Sequence, residues 1–227
     1  MTAPAEVLEW DTDFWGVRIA RVTGSPRAAA SWARANGVAC LYYLAPADDP
    51  ARSHEAEAAG YRLMDVRVEL ARTPAPSSST ARPHHAQDVD VLAAIARASH
   101  RTTRFYADSR FPKGRCDDLY ETWIRKSCAG WADAVLVVGP QGSPAGYVSC
   151  HADDRTGSMG LMAVSEAARG EGIGAELVRA AVDWCAGNGL EEVTVATQAR
   201  NVAAQRTFES CGFRTASVGL WFHRWLT

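Results

Sequence analysis

The stretch Val164–Leu177 reads VSEAARGEGIGAEL: a strand ends, three glycines follow at alternate positions, and a helix begins. Glycine carries no Cβ, so at Gly170, Gly172 and Gly174 the backbone is bare where another molecule must come close. The helix that follows buries Ile173, Leu177, Ala181 and Trp184 along one side. At its start, unpaired N–H groups and the helix dipole favour an anion. A diphosphate is the natural guest, and Arg169 adds a charge-assisted contact. The turn fixes a strand and a helix side by side, which is the first constraint on the fold.

Two familiar phosphate turns do not fit. A Walker loop needs Gly-Lys-Ser/Thr after its second glycine, and here the residues are Ile-Gly-Ala. A Rossmann turn belongs in an early βαβ unit, with an acidic residue after the next strand. Here the turn comes late, and the next strand ends Ala196-Thr197-Gln198.

The Pro/Ser-rich stretch Thr73–Pro83 marks a boundary, since it suits neither helix nor sheet pairing. The expected division is an N-terminal segment 1–72, a linker 73–83 and a domain 84–227. The two segments share landmarks at an offset of 152: Trp32…Asn36-Gly37 matches Trp184…Asn188-Gly189, and Ala59-Gly60-Tyr61 matches Cys211-Gly212-Phe213. Each copy reads as helix, Gly stop, strand, helix, Gly stop, strand. The strands are 40–45 and 62–70 in one copy, 192–198 and 215–225 in the other. The N-terminal copy has plain strand at Val17–Val22 in place of the glycine turn, so it is a degenerate duplicate, and one ligand site of this kind is expected. The larger segment adds helical faces at 88–100 and 119–128, then strands at 134–139, 145–151 and 158–164. Gly139–Pro144 turns the first of these strands into the second. The order predicts an α/β fold on a mixed, mostly antiparallel sheet.

With 47% hydrophobic residues and a net charge of −2 over 227 residues, the chain can bury a core and has no field that attracts nucleic acid or an anionic membrane. Acidic residues at 6, 9, 11 and 13 argue against a signal peptide. Six scattered cysteines without a C-x-x-C pair predict free thiols and a cytoplasmic setting. His84-His85 has no partners at metal spacing, and no metal site is expected.

The run Arg169-Gly-x-Gly-x-Gly174 after a strand ending in Val164, followed by Asn201-x-x-Ala204-x-x-x-Phe208-x-x-x-Gly212-Phe213, resembles the GNAT family of acyl-CoA-dependent N-acyltransferases. The resemblance covers about residues 82–227. It implies a sheet whose central strands, 158–164 and 192–198, splay into a V. It implies that the backbone of Met162 and Val164 pairs with pantetheine, that Arg169, Gly170, Gly172, Ile173 and Gly174 hold the diphosphate, and that Asn201, Ala204 and Phe208 lie along the cofactor arm. A narrower resemblance, to the dTDP-fucosamine acetyltransferase group, rests on Leu8-Glu-Trp10-Asp11-Thr-Asp-Phe14-Trp15-Gly16, Thr103-Arg104-Phe105, Tyr120-x-x-Trp123-Ile124 and Val195–Asn201. That group acetylates the amine of a nucleotide-linked deoxy-amino sugar and carries an incomplete N-terminal half. The activity implied is acyl transfer from acetyl-CoA, or a related thioester borne by CoA or an acyl carrier protein, to a small-molecule amine. The amine is a nucleotide-linked amino sugar or a biosynthetic intermediate. A homodimer is also consistent with the group.

Many members of the family place a Tyr where this chain has Phe208, and its phenol protonates the departing thiolate. Phe has no such proton. Either Tyr147, Tyr106 or Cys211 stands in, or water or the amine itself serves, or the chain is a non-catalytic acyl-CoA-binding module. The carbonyl's hydrogen-bond donors are expected from main-chain N–H groups near Val164. Asp65 is the acidic candidate near the amine. Strand alternation puts it with Arg67 and Glu69 on the face opposite Met64, Val66 and Val68, where a solvated role competes. Arg104 is a candidate for an anionic acceptor, with a plain surface Arg as the alternative.

Overall fold

The computed structural model describes residues 3–226. The N-terminal part runs β1 (Ala5–Val7), α1 (Glu9–Trp15), β2 (Ile19–Val22), α2 (Pro26–Ala35), β3 (Cys40–Pro46), α3 (Pro50–Ala58) and β4 (Arg62–Arg72). The rest runs β5 (Arg82–Pro83), α4 (Val89–Ala98), α5 (Arg104–Ala107), α6 (Lys113–Lys126), β6 (Ala134–Val138), β7 (Gly146–Asp153), β8 (Thr156–Val164), α7 (Ile173–Gly187), β9 (Glu192–Gln198), α8 (Val202–Ser210) and β10 (Arg214–Trp225).

The repeated landmarks are physical. Gly37, Gly60, Gly189 and Gly212 follow α2, α3, α7 and α8 with φ of +65°, +80°, +70° and +87°, the left-handed conformation that ends a helix without a Cβ clash. Asn36 Nδ2 donates to the Trp32 carbonyl at 2.8 Å, and Asn188 Nδ2 donates to the Trp184 carbonyl at the same distance. The two copies therefore close their first helices by the same bond.

All ten strands form one sheet in the order β1-β2-β3-β10-β4-β9-β8-β7-β6-β5. Pairing is parallel for β2–β3 and β8–β9 and antiparallel elsewhere. The last strand of each copy sits in the other copy's half: β10 lies between β3 and β4, and β4 lies between β10 and β9. One face of the sheet packs Tyr42, Val135, Val137 and Tyr147 under α4 and α6, with the aromatic residues of α1 against them. The other face is covered by α7 and α8 over Leu70, Val148 and Val195. Beside them, α2 and α3 cover Leu41, Tyr43 and Phe222. With both faces covered, strands such as β3 bury consecutive residues, here Cys40 to Tyr43.

The Pro/Ser-rich stretch is tied to α7. Glu176 on α7 accepts from Ser79 Oγ at 2.9 Å and from the Thr80 hydroxyl at 3.0 Å. The Thr80 main-chain N–H and Arg179 bond the same carboxyl, and together these donors hold Glu176 down to about 2. Arg82–Pro83 pairs with β6 despite its proline, at the edge of the sheet where a missing N–H is tolerated. All six cysteines are free.

A buried carboxylate ties this edge together. Asp88 is fully buried and accepts from Arg82 Nη1 (2.7 Å) and Nη2 (3.1 Å), from the His85 N–H (2.8 Å) and from the Gly142 N–H (2.8 Å). The Arg82 fork, helped by the two main-chain donors against the cost of burial, holds its pKa far below the usual carboxylate range. Asp88→Ala strands four N–H donors and is expected to cost about 3 kcal/mol in urea unfolding at neutral pH. The depressed pKa means this contribution is in place above the ordinary value of about 3.9 and fades as pH falls toward the lower folded value. The stability gap between parent and variant should therefore narrow below about pH 4. A gap independent of pH would contradict the assignment.

Candidate active site

Strands β8 and β9 are partners only from Thr156↔Glu192 to Met159↔Val195, and beyond that they part. The cause lies in β8. Its register with β7 jumps from Cys150↔Met159 to Val148↔Met162, so Gly160 and Leu161 together oppose Ser149. Ser149 Oγ accepts the Leu161 N–H at 2.8 Å, which satisfies the donor that the bulge leaves over. Gly160 must lack a side chain, because a Cβ there would stand 2.7 Å from His151 Nε2 and 2.8 Å from Ser149 Oγ.

The bulge also changes the direction in which the backbone points. Before it, the Arg155 carbonyl accepts from Glu191 at the start of β9, so alternate residues 155, 157 and 159 face β9. After it, the Ser165 N–H donates to the Ala145 carbonyl beside β7, so 163 and 165 face β7. Met162 and Val164 are thereby turned toward the side β9 has left. Uninterrupted alternation would have turned Leu161 and Ala163 there instead. The opening holds a cavity of about 210 Å³ whose walls include His100, Tyr120, Met162, Thr197, Asn201 and Phe208.

The glycine turn stands at the end of β8. Gly170 and Gly172 have φ of +87° and +81°, and a Cβ on either would meet nothing within 4 Å, so conformation rather than space requires glycine there. Gly172 is the N-cap of α7, and no side chain caps that helix, so its first-turn N–H groups face outward. Arg169 is exposed beside them. Ile173 is half-buried against the core under α7. Gly174 lets α8 approach, with Thr207 Cγ2 at 3.6 Å from where its Cβ would be. Across the opening, Asn201 caps α8 through Oδ1, which accepts the Ala204 N–H at 3.3 Å. Phe208 is 2% exposed and packs against Phe213 at 6.0 Å between ring centroids, so its ring both fills the core and lines the cavity.

None of the three groups expected to replace a Tyr at 208 lines this cavity. Tyr147 faces the other core and is fully buried, and burial raises its phenol far above the usual range. The hydroxyl of Tyr106 is given to Asp117, and burial together with that bond raises it as well. Cys211 sits beyond the C-terminus of α8 with its thiol toward the Ala175 carbonyl, 3.9 Å away. Sequence reasoning missed His100, which lies in the cavity wall with its Nε2 3.2 Å from Tyr147 Oη. It also missed the bulge, although the isolated Gly160 inside SMGLMAV is the signal for one.

On the same side, Asp65 is only 4% exposed, unlike the solvated position that alternation predicts. Alternation itself holds: Asp65, Arg67 and Glu69 pair with Trp221, Gly219 and Ser217 and share one face, which α5 covers at the Asp65 end of β4. The register slip lies beyond Asp65, at Met64, and leaves Leu63 exposed. Burial raises the Asp65 pKa, opposed by Arg200, whose Nη2 lies 3.5 Å from Oδ1. Arg104 is not a surface residue. Its guanidinium lies 4.1 Å from the Tyr42 ring centre and 4.3 Å from those of Phe105 and Trp221. Its Nη1 donates to His223 Nε2 at 2.9 Å. His223 Nδ1 then bonds Asp108 Oδ2 at 2.8 Å, and Trp225 Nε1 donates to the same oxygen. Burial lowers the His223 pKa to about 4, so the ring is neutral and relays between Arg104 and Asp108.

The separated aromatic motifs meet here. Trp10 stacks on Phe14 at 5.1 Å and lies 5.9 Å from Trp123, while Trp15 lies 5.5 Å from Phe105. Among the described residues, no cluster of His, Cys, Asp and Glu could hold a metal, and no helix is long and apolar enough to cross a membrane.

Comparisons with known proteins agree with this geometry. The model of the acetyltransferase (GNAT) family matches residues 93–213. The chain is 29% identical to a dTDP-fucosamine acetyltransferase of Escherichia coli, over 98% of each chain. It is 23% identical to the spore coat polysaccharide biosynthesis protein SpsD of Bacillus subtilis, over 82% of this chain and 66% of that one. Among solved structures, a GCN5-related N-acetyltransferase from Kribbella flavida superposes with a TM-score of 0.66 at 16% identity, covering 98% of this chain and 87% of its own.

The bulge rests on one side-chain bond. Ser149→Ala leaves the Leu161 N–H without its partner and is expected to cost about 1–3 kcal/mol by denaturant titration. A cost below about 0.5 kcal/mol, within the range of an ordinary surface change, would show that the bulge holds without it.

Proposed function

The chain belongs to the acetyltransferase (GNAT) family, and we propose that it transfers an acetyl group from acetyl-CoA to the amine of a nucleotide-linked sugar. The observation that carries this reading is the parting of β8 from β9 opposite an uncapped helix start. An extended, amide-bearing arm can pair with a strand that has lost its neighbour, and a diphosphate suits the outward N–H groups at the start of α7. In this reading Met162 and Val164 pair with the pantetheine arm, Arg169 to Gly174 hold the diphosphate, and the Asn201 amide and Ala204 flank the arm. Main-chain N–H groups near Val164 polarise the thioester carbonyl.

The sugar part of the proposal draws on the relatives, one named for dTDP-fucosamine and one for spore coat polysaccharide. In this reading the amine approaches past the buried Asp65 and the ring-caged Arg104, neither of which lines the cavity itself. Asp65 supplies negative charge for that amine, and the Arg104 cation favours an anionic portion of the same acceptor. In the reaction the amine nitrogen bonds the acetyl carbon, the carbon–sulfur bond breaks, and one proton passes from nitrogen to sulfur. Phe208 packs beside the arm and takes no part in that transfer.

Release of free thiol from acetyl-CoA, with dTDP-fucosamine and a panel of simple amines, tests the transfer. Turnover on the nucleotide sugar is expected, and no turnover on any amine would overturn the proposal. Gly172→Val puts a β-branched residue at φ +81°. The resulting backbone strain should weaken CoA binding by about tenfold or more in calorimetry. Unchanged affinity would refute the diphosphate assignment.

A further inference from the structure

We propose that His100 is the proton carrier of this site, taking the proton from the attacking nitrogen and passing it to the departing sulfur, with Tyr147 as its positioning residue. This rests on the acetyl-transfer reading above. His100 and Tyr120 are the only ionisable side chains among the residues lining the cavity. Tyr120 has spent its hydroxyl on Thr103 Oγ1 at 2.8 Å. That leaves the imidazole.

The way His100 is held is specific. It follows α4 with φ +57°, a left-handed conformation that costs a residue with a Cβ roughly 1–2 kcal/mol. Its ring stacks on Tyr120 at 4.6 Å between centroids and 19° between planes. Its Nε2 meets Tyr147 Oη, and that contact is the only hydrogen bond of the Tyr147 hydroxyl among the described residues. A fully buried tyrosine thus uses its one polar group to fix one histidine. Nδ1 has no partner among the described residues.

The proposal takes Nε2–H as the donor to the Tyr147 oxygen, the tautomer that leaves the Nδ1 lone pair free to accept a proton. When the amine adds to the thioester carbonyl, the nitrogen becomes positively charged and acidic. Nδ1 takes that proton, the carbon–sulfur bond breaks, and the imidazolium returns the proton to sulfur, leaving the histidine neutral. Burial lowers the pKa of His100 to about 4, which keeps the resting ring unprotonated and makes the imidazolium a ready donor to a thiolate. A single carrier does both halves of the transfer, so no hydroxyl is needed at 208.

Asparagine and glycine both accept the left-handed backbone, so His100→Asn and His100→Gly remove the imidazole and keep the turn. In thiol release from acetyl-CoA with dTDP-fucosamine, kcat should fall about 100-fold or more in both. CoA affinity by calorimetry should stay within about threefold of the parent. Free imidazole should restore turnover of the glycine variant in a saturable manner. Nitrogen NMR of the resting parent should show a neutral ring protonated on Nε2, and Tyr147→Phe should lose that tautomer preference. Turnover retained in either His100 variant, absence of imidazole rescue, or a resting ring protonated on Nδ1 would each overturn the role. A parent that releases no thiol with any amine would instead overturn the acetyl-transfer reading, and the tautomer measurement would still judge His100.

Discussion

The geometry of this protein turns on two residues of β8, Gly160 and Leu161, set against one residue of β7. That extra residue has two consequences. It bends β8 away from β9, which opens the sheet at its middle. It also reverses which main-chain groups face the gap, so that Met162 and Val164 are presented to it and Ala163 is kept for β7. Without the reversal the gap would be lined by Leu161 and Ala163 instead. A reversal without the gap would spend them on β9. The bond from Leu161 to Ser149 and the missing side chain at Gly160 make the arrangement affordable.

Around this point the chain is arranged as two interleaved halves. Exchange of β4 and β10 makes one sheet out of two unequal copies, so the N-terminal copy, without a glycine turn of its own, contributes β4 and the buried Asp65 beside the opening. The aromatic residues of α1 brace α5 and α6, which in turn carry Arg104 and Tyr120.

Much of this was legible in the sequence where local chemistry decides. The glycine turn, the four helix-ending glycines and the matched Trp–Asn pairs announce themselves by residue type and spacing. What periodicity cannot reveal is which strand lies next to which, and so the exchange of β4 and β10 was hidden. Nor does alternation say which part of a face is covered: Asp65 keeps the face it shares with Arg67 and Glu69, and α5 packed on that end of β4 buries it. Tyr147 looked available as a donor because strand position says nothing about which core a side chain enters. His100 ended a helical pattern as an ordinary polar residue. Only the fold brings it together with Tyr120 and Tyr147.

Phe208 then marks a division of labour rather than a defect. Its ring keeps the packing between α8 and the opening, and the proton is handled from the opposite wall. The central claim beneath this is that the gap receives the acyl donor along β8. Residue-resolved amide hydrogen exchange, with and without saturating CoA, tests it most directly. Protection should rise at Met162 and Val164 and stay unchanged at Ala163, whose amide already serves β7. No added protection at 162 and 164, or new protection confined to 163, would contradict the account.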